Sequence, residues 1–98
     1  MPQDYYVYIM GNNRPTLYVG FTSDLIQRVH AHKEGLVEGF TKKYVITKLL
    51  YYETTQDRDS ALNREKILKK WKRAWKLNLI ASINPAFKDL YPKICGIE

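Results

Sequence analysis

Apolar and aromatic side chains gather in short runs early in the chain and then change their spacing. Residues 5–10, Tyr-Tyr-Val-Tyr-Ile-Met, carry the β-branched and aromatic side chains that suit a pleated, half-buried surface, and they predict a strand. Gly11-Asn12-Asn13-Arg14-Pro15 is dense in turn formers, and residues 16–21, Thr-Leu-Tyr-Val-Gly-Phe, predict a second strand. A link this short argues for an antiparallel hairpin. From Thr22 the spacing becomes helical. Thr22-Ser23-Asp24 offers a hydroxyl cap and an acid in the first turn, and Leu25, Ile26 and Val29 give an apolar face to a helix ending about Lys33.

Residues 35–44, which include Gly35 and Gly39, predict a loop, and residues 45–53 predict a third strand. Asp57-Arg58-Asp59-Ser60 opens a helix that runs to about Lys70. A further helix covers 73–83 and stops at Asn84-Pro85, because the residue before a proline is pushed out of helical angles. There is no internal repeat, low-complexity stretch or linker. The expectation is one α+β domain over residues 1–98: a three-stranded antiparallel sheet flanked by helices, in the order β-β-α-β-α-α.

Composition adds a folded core and a sign of charge. Hydrophobic residues make up 45% and aromatics 13%, too many for a disordered tail, and eight tyrosines are enough that some should present a hydroxyl to a site. Sixteen cations against ten anions leave +6, a field that suits phosphate-rich partners or an anionic membrane. No apolar run approaches the roughly 20 residues a bilayer span needs, and the start, Met1-Pro2-Gln3-Asp4, lacks the basic and apolar parts of a signal peptide. A lone cysteine, Cys95, can form no internal disulfide and reads as a small buried hydrophobe. Together these lead to the expectation of a cytoplasmic protein.

Several residues could carry chemistry. Alternation along a strand puts Tyr6, Tyr8 and Met10 on one face and Thr16, Tyr18 and Gly20 on one face of the next, so pairing could bring Tyr8 and Tyr18 together. The plainer reading is a tyrosine-rich sheet, although Gly20 marks a place where a ligand or another backbone approaches closely. Arg28 and His32, four apart, share a helix side, where a guanidinium fork could hold a phosphate and an imidazole could pass a proton. A solvated helix face is the commoner fate of such a pair. His30 points elsewhere.

Glu65 falls in the apolar stripe of Ala61, Leu62 and Leu68, where a carboxylate is costly to desolvate unless paired. A divalent cation would serve, since magnesium is often held by one or two carboxylates; so would a neighbouring lysine. Arg64, Lys66, Lys69, Lys70, Lys72, Arg73 and Lys76 surround Trp71 and Trp75. Lys66, Lys69, Lys70 and Arg73 are candidates for contacts to a phosphate backbone, while both tryptophans are expected mostly in the core. Phosphate-cradling Gly-x-x-x-x-Gly-Lys loops, cysteine–histidine zinc clusters and Gly-x-Ser-x-Gly elbows are all absent.

Taken together, these residues resemble the GIY-YIG nuclease superfamily, most of all its small stand-alone bacterial members. Val7-Tyr8-Ile9 stands for the first signature in degenerate form, and Tyr18-Val19-Gly20 for the second. Arg28 follows eight residues after that glycine and His32 four later. Glu65 lies in Ala-Leu-Asn-Arg-Glu, and the ending Asn84-Pro85-Ala86-Phe87-Lys88-Asp89-Leu90-Tyr91 is also similar.

The resemblance implies a metal-dependent endonuclease that hydrolyses DNA phosphodiesters with low sequence specificity. Tyr8 or Tyr18, with His32, would handle the attacking water. Arg28 would stabilise charge on the phosphate. Glu65 would hold one Mg2+ or Mn2+, and Asn84 would help close the site. RNA stays open as a substrate beside DNA, as does a non-catalytic nucleic-acid-binding module on the same scaffold. A homodimer is compatible with the sequence but not indicated by it. Two positions depart from the family: the first triplet lacks its glycine, and Ser23 stands where some relatives carry a lysine.

Overall fold

The structure, a computed structural model, describes residues 3–97. Strand β1 (Tyr5–Gly11) is the centre of a three-stranded sheet, with β2 (Leu17–Thr22) on one side and β3 (Lys48–Thr55) on the other, both antiparallel to it. The helices are α1 (Leu25–Lys33), α2 (Phe40–Lys43), α3 (Arg58–Lys70), α4 (Arg73–Ile83) and α5 (Tyr91–Ile94). The expected α+β architecture is therefore present, with the two one-turn helices α2 and α5 added. No described helix is long and apolar enough to cross a membrane.

Alternation along β1 divides the core in two. Val7 and Ile9 point into one layer with Val19, Leu50, Ala61, Leu68 and Ile80, so α3 and α4 cover that face. Tyr8 and Met10 point into the other with Leu25, Val29, Ile46 and Leu49, and α5 packs against it through Tyr91 and Ile94. Each leucine or isoleucine so buried contributes roughly 1.5–3 kcal/mol. The register of β1 and β3 slips between Ile9 and Met10, which pair with Tyr51 and Leu49. The extra residue, Leu50, joins Tyr51 in the α3–α4 layer and leaves Leu49 in the other.

Caps set the helix starts. The Asp24 carboxylate accepts from the Gln27 amide at 3.2 Å, so this acid is itself the cap of α1 and not a first-turn residue. Asp57 does the same for α3, accepting from the Asp59 amide at 3.2 Å and the Ser60 hydroxyl at 2.5 Å. Asp89 joins three elements: it accepts from the Leu49 and Tyr91 amides, each at 3.0 Å, and pairs with Lys33. Burial pushes its pKa up, but Lys33 and the two amides outweigh that and hold it below the ordinary carboxylate value.

Several expectations are corrected. β3 begins at Lys48, not at residue 45, because Val45 takes a left-handed conformation (φ 52°) and the Ile46 amide donates back to the Thr41 carbonyl at 2.9 Å. Those β-branched residues close α2; they do not open a strand. Ile26 is exposed, so the buried face of α1 is formed by Leu25 and Val29 together with Ala31 and His32. Trp75 is 51% exposed and Trp71 half-buried, so the tryptophans lie at the core's margin. Cys95 is likewise only half-buried.

Candidate active site

The Tyr8 phenol is fully buried, and the reason lies in β2. Tyr8 is paired directly with Gly20, and a Cβ at that glycine would meet the Tyr8 Cζ and Oη at 2.4 Å. The close approach expected at Gly20 is thus made by a side chain, where a ligand or backbone had been anticipated. Tyr18 stands opposite Met10, and the two phenol rings meet diagonally with centroids 6.3 Å apart.

Helix α1 brings the second pair. His32 is 2% exposed, and its Nε2 lies 3.0 Å from the Tyr8 hydroxyl. Its Nδ1 lies 3.0 Å from the Thr41 hydroxyl. Thr41 belongs to α2, which the chain enters through Gly39 at φ 104°, a conformation that side-chain-bearing residues rarely adopt. Sequence reasoning missed Thr41, because nothing in its spacing from His32 signals the contact; the two glycines of the loop are the only local clue.

One turn before His32, the Arg28 guanidinium lies against the Tyr8 and Tyr18 hydroxyls, and the Tyr8 contact raises its pKa more than burial lowers it. Its Nε is buried with no hydrogen-bond partner, and no carboxylate pairs with Arg28 among the described residues. A buried donor of this kind costs free energy until an acceptor arrives.

These neighbours act on one another. Burial pushes the Tyr8 phenol up to about 12; Arg28 opposes this, while Tyr18 and the Glu65 carboxylate add to it. Burial, aided by the Arg28 cation, lowers His32 to about 4. Near neutral pH the site therefore holds a protonated phenol and an uncharged imidazole beside a cation. This has a consequence for stability. Between about pH 6.5 and pH 4 the unfolded chain protonates His32 while the folded chain resists it, so stability should fall as pH drops through that window, by up to about 3 kcal/mol. Urea unfolding at pH 7.5, 5.5 and 4.5 measures this. His32→Gln should flatten the slope, and an unchanged slope would remove His32 as its cause.

Glu65, on α3, is within electrostatic reach of Tyr8, with its side chain 18% exposed. It pairs with Lys69 at 3.1 Å, four residues on. Helical pairs at this spacing contribute only roughly 0.2–0.5 kcal/mol, so a divalent cation could displace the lysine. No cluster of three or more His, Cys, Asp or Glu side chains suited to a metal occurs among the described residues. A cation held at Glu65 would take its remaining ligands from water and substrate, a donor set that suits magnesium or manganese.

The remaining candidates separate. The Asn84 side chain is held by backbone groups: its Nδ2 donates to the Leu50 and Lys88 carbonyls at 3.0 and 2.9 Å, and its Oδ1 accepts from the Lys88 amide at 3.1 Å. It fastens the end of α4 to β3. Lys69 is engaged by Glu65, and Arg73 donates to the Pro15 carbonyl at 2.7 Å. Lys66 and Lys70 are exposed and make no ion pair among the described residues.

Comparison with known proteins bears on this arrangement. The family described as the GIY-YIG catalytic domain matches residues 4–78, which include Tyr8, Tyr18, Arg28, His32 and Glu65. A UPF0213 protein of Clostridium perfringens is 38% identical over 77 residues, covering 79% of this chain and 83% of that protein. One from Streptococcus pyogenes is 36% identical over 78 residues, covering 79% and 85%. The solution NMR structure of a UPF0213 protein from Bacillus halodurans is similar with a TM-score of 0.57 at 21% identity, covering 91% of this chain and 95% of that one. At that identity the likeness concerns the fold.

Proposed function

The chain belongs to the GIY-YIG catalytic-domain family, a family of nucleases, and from that premise we propose that it is an endonuclease hydrolysing DNA phosphodiester bonds. The observation that carries this reading is Arg28: a guanidinium with a buried Nε that lacks a partner among the described residues, set beside two phenols, of which Tyr8 is within electrostatic reach of the Glu65 carboxylate. Its planar fork fits the oxygens of a phosphodiester and stabilises the charge that grows there as water attacks.

Tyr8 and His32 handle the proton. In the tautomer with hydrogen on Nδ1, His32 donates to Thr41 and its Nε2 accepts from Tyr8. Water attacking phosphorus passes its proton to the Tyr8 oxygen as the phenol proton moves to Nε2; the bond to the leaving oxygen breaks with its electron pair, and the alkoxide so formed takes a proton from solvent water. With pKa values near 12 and 4, a separated phenolate–imidazolium pair is unfavourable in the free protein, so these transfers accompany the attack. A bound phosphate offsets the Arg28 charge, one of the two causes that depress His32, and thereby makes the imidazole a better acceptor. Tyr18, at the mouth of the site, orients the water or a phosphate oxygen.

Glu65 holds one Mg2+ or Mn2+, which supplies Lewis acidity at the phosphate. Lys66 and Lys70 neutralise flanking phosphates without reading bases, so sequence preference is weak and substrate shape decides where the cut falls. Labelled single- and double-stranded DNA incubated with either metal tests the whole reading. We expect cleavage that falls to background in Glu65→Gln, with the far-ultraviolet circular dichroism unchanged. Cleavage surviving in that variant would end the metal role. Salt-sensitive binding without cutting under any metal would make the protein a binding module instead.

A further inference from the structure

Two aromatic residues outside the catalytic cluster continue its line toward solvent. The Phe40 ring stacks on Tyr18 with centroids 6.4 Å apart and planes 27° from parallel, and Tyr44 follows 4.8 Å from Phe40. Both stay exposed, at 45% and 43%. Cations lie along this strip: the Lys43 ammonium is 5.4 Å from the centre of the Tyr44 ring, and Arg14 and Lys43 wall a cleft of about 410 Å3 that Tyr44 also lines.

The strip is held in place. Asn12 donates to the Tyr44 carbonyl at 2.9 Å and accepts from the Arg14 and Thr16 amides at 3.0 and 2.7 Å, so the β1–β2 turn and α2 are tied across the cleft. Val45, a β-branched residue, closes α2 at a left-handed φ of 52°, a conformation that costs free energy and is found where surroundings enforce it.

Exposed rings joined to a hydrolytic site and flanked by cations suit one ligand chemistry above others: an unpaired base on the ring and its phosphate on the cation. Bases inside a duplex are already stacked and offer no free face to such a platform. We infer that Phe40 and Tyr44 form a stacking subsite for the unpaired nucleotide flanking the scissile phosphate, with Arg14 and Lys43 on its backbone, so that the protein selects single-stranded DNA. This rests on the hydrolase reading for its place beside the cut, but the subsite itself is tested by binding.

The probe is a single-stranded oligonucleotide carrying 2-aminopurine, whose fluorescence is quenched by stacking, titrated with protein in EDTA so that no metal-dependent turnover occurs. Phe40→Ala and Tyr44→Ala should each weaken single-strand binding about tenfold and remove most of the quenching. Duplex binding should stay within about twofold, and Phe40→Trp should restore the quench. Quenching and affinity unchanged in the double variant would overturn the subsite, as would an equal loss on duplex. Wild-type cleavage with quenching indifferent to both rings sinks the subsite and leaves the hydrolase standing. Ring-dependent quenching without cleavage in any metal upholds the subsite and sinks the hydrolase.

Discussion

Arg28→Ala should lower the DNA cleavage rate by about a hundred- to a thousandfold, the loss typical when one preorganised donor to a developing oxyanion is removed. The protein should stay folded, because the guanidinium makes no ion pair among the described residues and its Nε lacks a partner. Arg28→Lys should recover little, since an ammonium is a point charge without the two-pronged geometry of the fork. A second readout separates loss of phosphate contact from general damage. The Arg28 cation helps depress His32, so the His32 pKa followed by NMR should rise in Arg28→Ala. A variant with undiminished turnover would refute the phosphate role. A His32 titration that does not move would show that the guanidinium and imidazole are not electrostatically coupled.

Gly20→Ala should be nearly as damaging, although glycine touches no substrate. The added methyl would stand 2.4 Å from the Tyr8 Cζ and Oη, and 2.9 Å from its Cε1. The ring has nowhere to go: it is fully buried among Met10, Leu25 and Val29, with its hydroxyl on His32. Overpacking of this kind costs roughly 1–3 kcal/mol. Displacing a reacting group by about 1 Å can cost on the order of a hundredfold in rate. Chemical denaturation and the cleavage assay should therefore both register the change. The attribution to Tyr8 has its own check. In the double variant Gly20→Ala/Tyr8→Ala the clash is gone, so its stability should be no worse than that of Tyr8→Ala alone. Simple addition of the two losses would contradict the contact.

Much of this could be read one residue at a time. Period-two alternation in Tyr5–Met10 assigns Tyr8 and Val7 to opposite layers, and that is how the core divides. Helical spacing places Arg28 and His32 on one side of α1, and both reach Tyr8. The limits of α3 and α4 were legible because Asp57 caps one and Asn84-Pro85 ends the other. Where a local signal had two outlets, the reading failed. Val45-Ile46-Thr47 looks like the start of a strand, but a return hydrogen bond from Ile46 to Thr41 takes precedence. Trp75 looks like core and instead lies exposed at the edge of Trp71, with the Lys72 ammonium 5.6 Å from its ring centre.

The amino-acid order alone determined the class of fold, the faces on which the tyrosines, arginine and histidine stand, and the excess of positive charge, because each depends on periodicity or composition over a few residues. Only the folded chain decided the partners. Thr41 beneath His32, the Tyr8 ring over Gly20 and the binding of Asn84 to β3 all join side chains to groups set by how the layers pack. Local spacing orients a side chain toward a face, while the distance and chemistry of what it meets there depend on other segments of the chain.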